Sequence, residues 1–224
     1  YALGQKVVFK KGYGPLLDDF KIENLSEIKE QKFINELQPI YNALEKVKNN
    51  KIVKNKDLIG FVGAPWTILV YMLNKQSPKK KIDQELFKNK NLVIKLFEIF
   101  DKFLKLHIKK QVENGATVIQ IFDSWSGLVE DKNLDEFIYK PTLSLVNFVK
   151  SLKIPVICFP RNIKNYKNFV SSIKPDAINI DYNVDPKKIS TELNIPIQGG
   201  LDPKILLSDK ENLKKKNKPI SRCI

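Results

Sequence analysis

The chain is poor in the residues that build metal and redox sites. Among its 224 residues there is one histidine and there are two cysteines. His107, Cys158 and Cys223 stand far apart with no Cys-x-x-Cys spacing, so neither a transition-metal centre of ordinary composition nor a disulfide framework is expected. This sparse cysteine use fits a reducing, cytoplasmic setting. Long apolar runs are also missing. The longest uncharged stretch, Leu58 to Asn74, contains Gly60, Gly63 and Pro65 and falls short of the ~20 apolar residues that cross a bilayer, so no membrane span is expected. The first residues, Tyr1-Ala-Leu-Gly-Gln-Lys, carry no signal-peptide pattern, and no fixed repeat period marks a solenoid. Arginine is scarcer still. Of 39 basic residues only Arg161 and Arg222 are arginine, and lysine supplies the other 37.

That scarcity bears on the net charge of +14. A basic chain invites a nucleic-acid reading, but phosphate- and base-reading surfaces use arginine forks as well as lysine. Here the lysines are spread along the whole chain among Asn and Ile, as in a lysine-rich composition that fills solvated faces. No nucleic-acid partner is therefore expected. A basic surface does suit an anionic small molecule.

What is present is enough for one core: 42% of the residues are hydrophobic and 10% of the chain is aromatic. Short apolar runs predict strands at Leu58–Val62, Thr117–Phe122, Pro155–Phe159, Ala177–Ile180 and Ile195–Gln198. Helices are predicted at about 31–48, 66–73, 91–113, 134–151, 166–172 and 186–193, with another opening at Pro203. The first should bury Phe33, Leu37, Ile40, Leu44 and Val47, and Pro39 inside it is a candidate break. The longest should bury Leu92, Leu96, Ile99, Phe103 and Leu106 and end at Gly115. Val7–Phe9 precedes a turn-rich loop, residues 10–15. Strands alternating with helices predict a parallel sheet built from right-handed crossovers. A doubly wound sheet and a (β/α)8 barrel both satisfy this pattern.

In either architecture ligands bind beyond the carboxyl ends of the strands. The five tails there are Gly63-Ala64-Pro65-Trp66, Asp123-Ser124-Trp125, Pro160-Arg161-Asn162, Asp181-Tyr182 and Gly199-Gly200-Leu201-Asp202. Each is polar, aromatic or glycine-bearing directly after an apolar run. The glycines of residues 60–65 match neither phosphate-binding fingerprint and read as a tight turn. Ser124 has no partner base, because His107 lies within a long helix, so it reads as a hydrogen-bonding hydroxyl rather than a nucleophile. Asp123, Asp181 and Asp202 could gather around a hard cation, but helix capping and loop bracing explain them better.

Two of these segments carry a resemblance. Gly60-Phe-Val-Gly-Ala-Pro-Trp-Thr67, followed by Tyr71-Met72, and Ile121-Phe-Asp-Ser-Trp-Ser-Gly127 closely resemble the signatures of the uroporphyrinogen decarboxylase family. Phe159-Pro160-Arg161, Ile180-Asp181-Tyr182 and Gln198-Gly-Gly-Leu-Asp-Pro203 look like its later strand tails, with Gly200 where the family usually has Asn. The likeness runs over roughly residues 1–207, and the opening, Gly4 to Pro15, looks like the stretch between the second and third barrel strands. It implies a partial (β/α)8 TIM barrel holding about strands 3 to 7 of 8. It also implies decarboxylation of the four acetate side chains of uroporphyrinogen III to give coproporphyrinogen III, with no metal or organic cofactor, in a protein that is normally a homodimer. Tyr71 and Ser124 match its substrate contacts. Phe61 and Phe122 match positions lining the cleft.

The departures are as specific. The family's Arg-Gln-Ala-Gly-Arg segment, its Phe-Ser-Asp motif with the central aspartate, and its Gly-His-Gly element have no match, so no catalytic residue is assigned within this chain. The expected organisation is a barrel-like domain over 1–212 and a non-matching tail over 213–224. An arc of five strands cannot close, so the polypeptide alone is expected to aggregate or stay partly unfolded and to show no turnover. The rival readings are a methyltransferase on the same kind of barrel, which would usually carry a His/Cys zinc site, and a basic nucleic-acid-binding module.

Overall fold

Five short runs of β-branched and aromatic residues form one parallel sheet in the computed structural model, which describes residues 1–11, 14–19, 25, 27–53, 55–75 and 89–216. They are β3 (Ile59–Gly63), β4 (Val118–Asp123), β5 (Val156–Pro160), β6 (Ala177–Ile180) and β7 (Ile197–Gly199). Ahead of them β1 (Val7–Lys10) and β2 (Gly14–Leu17) pair as an antiparallel hairpin, with Val7 opposite Leu17. The helices are α1 (Glu30–Lys48), α2 (Pro65–Asn74), α3 (Lys90–Glu113), α4 (Lys140–Ser151), α5 (Tyr166–Ile173), α6 (Pro186–Glu192) and α7 (Lys210–Lys216).

Strand order separates the two architectures that periodicity left open. The sheet runs β3-β4-β5-β6-β7, each strand beside its sequence neighbour. A doubly wound sheet reverses direction at a switch point. No reversal occurs here, so the chain is an arc of a (β/α) barrel, the partial TIM barrel expected from the sequence.

The alternation of side chains then sorts the sheet into two faces. Val62, Ile119, Ile121, Val156, Cys158, Ile178 and Ile180 point outward and share one core with Leu69, Phe100, Leu145, Phe169 and Ile189 of the helices. Their neighbours in sequence, Ile59, Phe61, Phe122, Phe159, Asn179 and Gln198, lie on the inward face and keep some or most of their surface.

Several local expectations are corrected. Pro39 does not break α1, because it lies on the exposed face where the carbonyl it deprives can meet water. That helix buries Phe33 and Tyr41, while Ile40 and Val47 face out. The i, i+4, i+8 row of 33, 37 and 41 wins because Tyr41 finds a partner for its hydroxyl in His107. In α3 Leu96 and Phe103 are buried as predicted, whereas Leu92, Ile99 and Leu106 are half-buried and Val93, Phe97, Phe100, Leu104 and Ile108 fill the buried face. The helix expected from 134 opens instead with a π-helical turn, Asp135–Tyr139. That wide turn sits just ahead of Pro141, which has no N–H to give to the preceding turn. Gly14 and Pro15, read as loop, begin β2, and Pro203–Leu207 is a 3-10 turn rather than an α-helix. Gly12, Tyr13 and residues 217–224, with Arg222 and Cys223, lie outside the described residues.

Candidate active site

The inward face carries its aromatic rings in register. Phe61 stands opposite Gln120, Gln120 opposite Ile157, and Ile157 opposite Ala177. One level nearer the carboxyl ends, Gly63 is opposite Phe122 and Phe122 opposite Phe159. Glycine at 63 leaves room beside Phe122. The three phenylalanines meet edge to face, Phe61 to Phe122 at 6.0 Å and Phe122 to Phe159 at 6.1 Å between ring centres. A row of this kind is an apolar wall with ring faces and edges turned toward the inner space. Sequence reasoning named Phe61 and Phe122. It missed Phe159, although Phe159 precedes the end of its strand by one residue, as Phe122 does.

Above this wall the tails of β3 and β4 are tied together. Pro65 sits in the first turn of α2, where its missing N–H costs nothing. From that helix Trp66 Nε1 donates to the Trp125 carbonyl at 3.0 Å, and Thr67 Oγ1 donates to Asp123 Oδ1 at 2.7 Å. The Ala64 N–H extends the strand ladder to the Phe122 carbonyl. One turn further along α2 the Tyr71 ring meets the Trp125 ring edge to face at 5.9 Å. Trp125 is the residue after Ser124, so the two sequence motifs converge. Tyr71 and Ser124 are each half-buried. They do not share one lining: Tyr71, with Phe61, Gly63 and Ile68, borders a cavity of about 360 Å³ reaching toward α1 and α3, and Ser124 and Phe122 lie outside it.

The electrostatics at this junction are unusual. Asp123 is buried, and its Oδ2 has no hydrogen-bond partner. Burial pushes its carboxyl up to about 7, against the pull of the Thr67 hydroxyl and the adjacent Trp125 backbone amide. The one histidine is elsewhere. His107 packs in α3 with Nδ1 3.0 Å from the Tyr41 hydroxyl, and burial lowers it to about 4. It gives Ser124 no base, so the site offers hydroxyl donors and apolar rings rather than a nucleophile. Cys158 is buried, its thiol pushed up chiefly by burial.

The remaining tails are braced by their acids. Asp181 Oδ2 accepts from the Asn162 N–H at 2.5 Å and from the Tyr166 hydroxyl at 2.9 Å. Asp202 accepts from the Lys204 N–H at the start of a 3-10 turn. Ser126 Oγ spans two tails, donating to the carbonyls of Asp123 and Arg161. Among the described residues no cluster of three His, Cys, Asp or Glu side chains could hold a metal ion.

A parallel, sequentially ordered strand arc with its polar tails at one end defines a barrel-type enzyme scaffold. A methyltransferase from Methanosarcina mazei has a similar fold, with a TM-score of 0.67 over 88% of this chain and 59% of that one, at 14% identity. The family model for uroporphyrinogen decarboxylase matches residues 1–223, and the chain belongs to that family. The uroporphyrinogen decarboxylase of Rickettsia felis is 33% identical over 222 residues, which cover 96% of this chain and 64% of that protein. That of Wolbachia pipientis wMel is 35% identical over 226 residues, 99% of this chain and 66% of the relative. The chain thus spans just under two thirds of the length of these relatives. No helix among the described residues is long and apolar enough to cross a membrane.

Proposed function

We propose that this chain supplies the substrate-binding half of a uroporphyrinogen decarboxylase site. In that reaction each acetate side chain of uroporphyrinogen III loses CO2 and keeps a methyl group, giving coproporphyrinogen III. A proton joins the pyrrole carbon bearing the acetate, the C–C bond to the carboxylate breaks as its electron pair moves into the ring, the freed exocyclic carbon takes up a proton to become the methyl group, and the ring carbon gives up the proton it gained. The pyrrole is thus its own electron sink. The protein's task is to hold a polyanion and to stabilise a ring that turns cationic. The observation that carries this reading is the tie between the two motifs, which sets Tyr71 against Trp125 beside Ser124, above the Phe61–Phe122–Phe159 wall. The wall suits the apolar face of a macrocycle, and the Tyr71 and Ser124 hydroxyls suit its polar substituents. A homodimer in a reducing cytoplasm, with no organic cofactor, completes the proposal.

The test is binding of uroporphyrin III, the oxidised and fluorescent form of the substrate, followed by the anisotropy of its emission. Tyr71→Phe and Ser124→Ala should each weaken binding about 3- to 10-fold, the scale of one lost hydrogen bond. The 224-residue chain should bind without turning over, because the Phe-Ser-Asp aspartate has no match in it. Absence of binding, or binding indifferent to both substitutions, would sink the reading.

A further inference from the structure

Arg161 is the sole arginine among the described residues, in a chain that meets nearly every other need for a cation with lysine. Its setting differs from that of the lysines, many of which sit in exposed ion pairs with carboxylates. The Arg161 backbone is pinned on all sides by neighbouring tails. Its N–H donates to the Asp123 carbonyl at 3.1 Å, continuing the β4–β5 ladder one step past the end of β5. Its carbonyl accepts from Ser126 Oγ at 2.9 Å and from the Gly127 N–H at 3.0 Å. The next amide, that of Asn162, is held by Asp181, and Asn162 takes the left-handed conformation at φ 59°. There the chain turns away and leaves Arg161 at the rim.

Register places this rim position beside the candidate contacts. Asp123 pairs with Pro160 at the last level of the two strands, and Ser124 and Arg161 are the residues that follow those two strand ends, joined there by the Arg161 N–H to the Asp123 carbonyl. Arg161 stands two residues on from the inward-facing Phe159 and so continues the inward parity of β5 one step past its end. The residue is exposed, and its guanidinium makes no hydrogen bond or ion pair with a described residue. The acid at the same level on the far side, Asp181, is buried and already engaged by the Asn162 amide and Tyr166. A fixed backbone, an uncommitted planar cation and a neighbouring hydroxyl form a preorganised receptor for a carboxylate. Arginine can grip that group through two parallel N–H bonds, which the single ammonium of lysine cannot do.

We propose that Arg161 binds a carboxylate side chain of the substrate at the rim, next to Ser124. This inference rests on the decarboxylase reading for the substrate class, and its test separates the two. Uroporphyrin III binding to the 224-residue chain is measured for wild type, Arg161→Ala, Arg161→Lys and, as a control, the exposed α1 variant Lys46→Ala. Arg161→Ala should weaken binding at least 10-fold and flatten its dependence on salt. Arg161→Lys should keep the charge yet lose about 3-fold. Lys46→Ala should bind as wild type. All four should melt at the same temperature, because the guanidinium has no partner in the fold. Unchanged affinity in Arg161→Ala, with binding still sensitive to Tyr71→Phe, would overturn this role and leave the substrate reading standing. Equal weakening in Arg161→Ala and Lys46→Ala would overturn it as general charge attraction. No binding by wild type would overturn both.

Discussion

Two buried titrating residues set opposing pH dependences. Asp123 has an ordinary value of 3.8 and sits near 7 in the fold. Between those values the unfolded chain has lost the proton that the folded chain retains. Stability from this group is therefore full below about pH 3.8 and is lost as pH rises through 7. His107 goes from 6.5 to about 4, so it is neutral in the fold while the unfolded chain is protonated. Its contribution is full above 6.5 and is lost as pH falls through 4. Asp123→Asn keeps an oxygen for the Thr67 hydroxyl and removes the buried charge. Its melting temperature relative to wild type should rise from pH 4 to pH 7.5, whereas His107→Gln should lessen the acid-side loss. A flat difference for either variant across that range would refute the assignment. The buried Asp123 was not legible in the sequence. A carboxylate next to Ser124 reads equally as a cap or a ligand until Thr67, 56 residues away in sequence, is seen to occupy it.

At the scale of elements, the outer edge of β3 shows how a helix substitutes for a strand. Leu58 and Ala64 use their backbone groups toward β4. Phe61 faces the other way, and the Gln111 carboxamide of α3 meets it. Gln111 Oε1 accepts from the Phe61 N–H and Nε2 donates to the Phe61 carbonyl, both at 3.0 Å. Gly60 permits the approach, since a Cβ there would stand 2.8 Å from Gln111 Oε1. Gln111→Leu keeps the volume but strands both backbone groups, so it should cost about 1–3 kcal/mol in urea denaturation. Hydrogen exchange at the Phe61 amide should also speed up. Full protection of that amide in the variant would contradict the bracing role. The existence of α3 was plain from its period, and Leu96 and Phe103 are buried as predicted, yet Val93, Phe97, Phe100, Leu104 and Ile108 are buried more deeply than the predicted Leu92, Ile99 and Leu106. Apolar residues crowd both candidate rows, and only packing against β3 and α4 chooses between them.

At the scale of the molecule, the sheet has two very different faces. The outward one is sealed by helices, whereas Ile59 and Phe61 on the inward one are 43% and 64% exposed. Among the described residues β3 and β7 each pair on one side only. Apolar surface beside unpaired strand edges favours association. Light scattering on the isolated chain should therefore report a mass above 25.9 kDa, and uroporphyrin should lower it by covering the inward face. A monomer insensitive to the ligand would argue against that exposure.

The alternation of strand and helix, the polar tails after each apolar run and the family likeness were all written in the sequence, because periodicity and turn chemistry are local. Barrel rather than doubly wound order depended on which strands become neighbours. The clamp from Thr67 to Asp123, the Phe159 ring completing the wall and the unengaged guanidinium of Arg161 likewise arise only when distant segments meet. Pairing and burial are properties of the folded arrangement, and they assign the partners that composition leaves open.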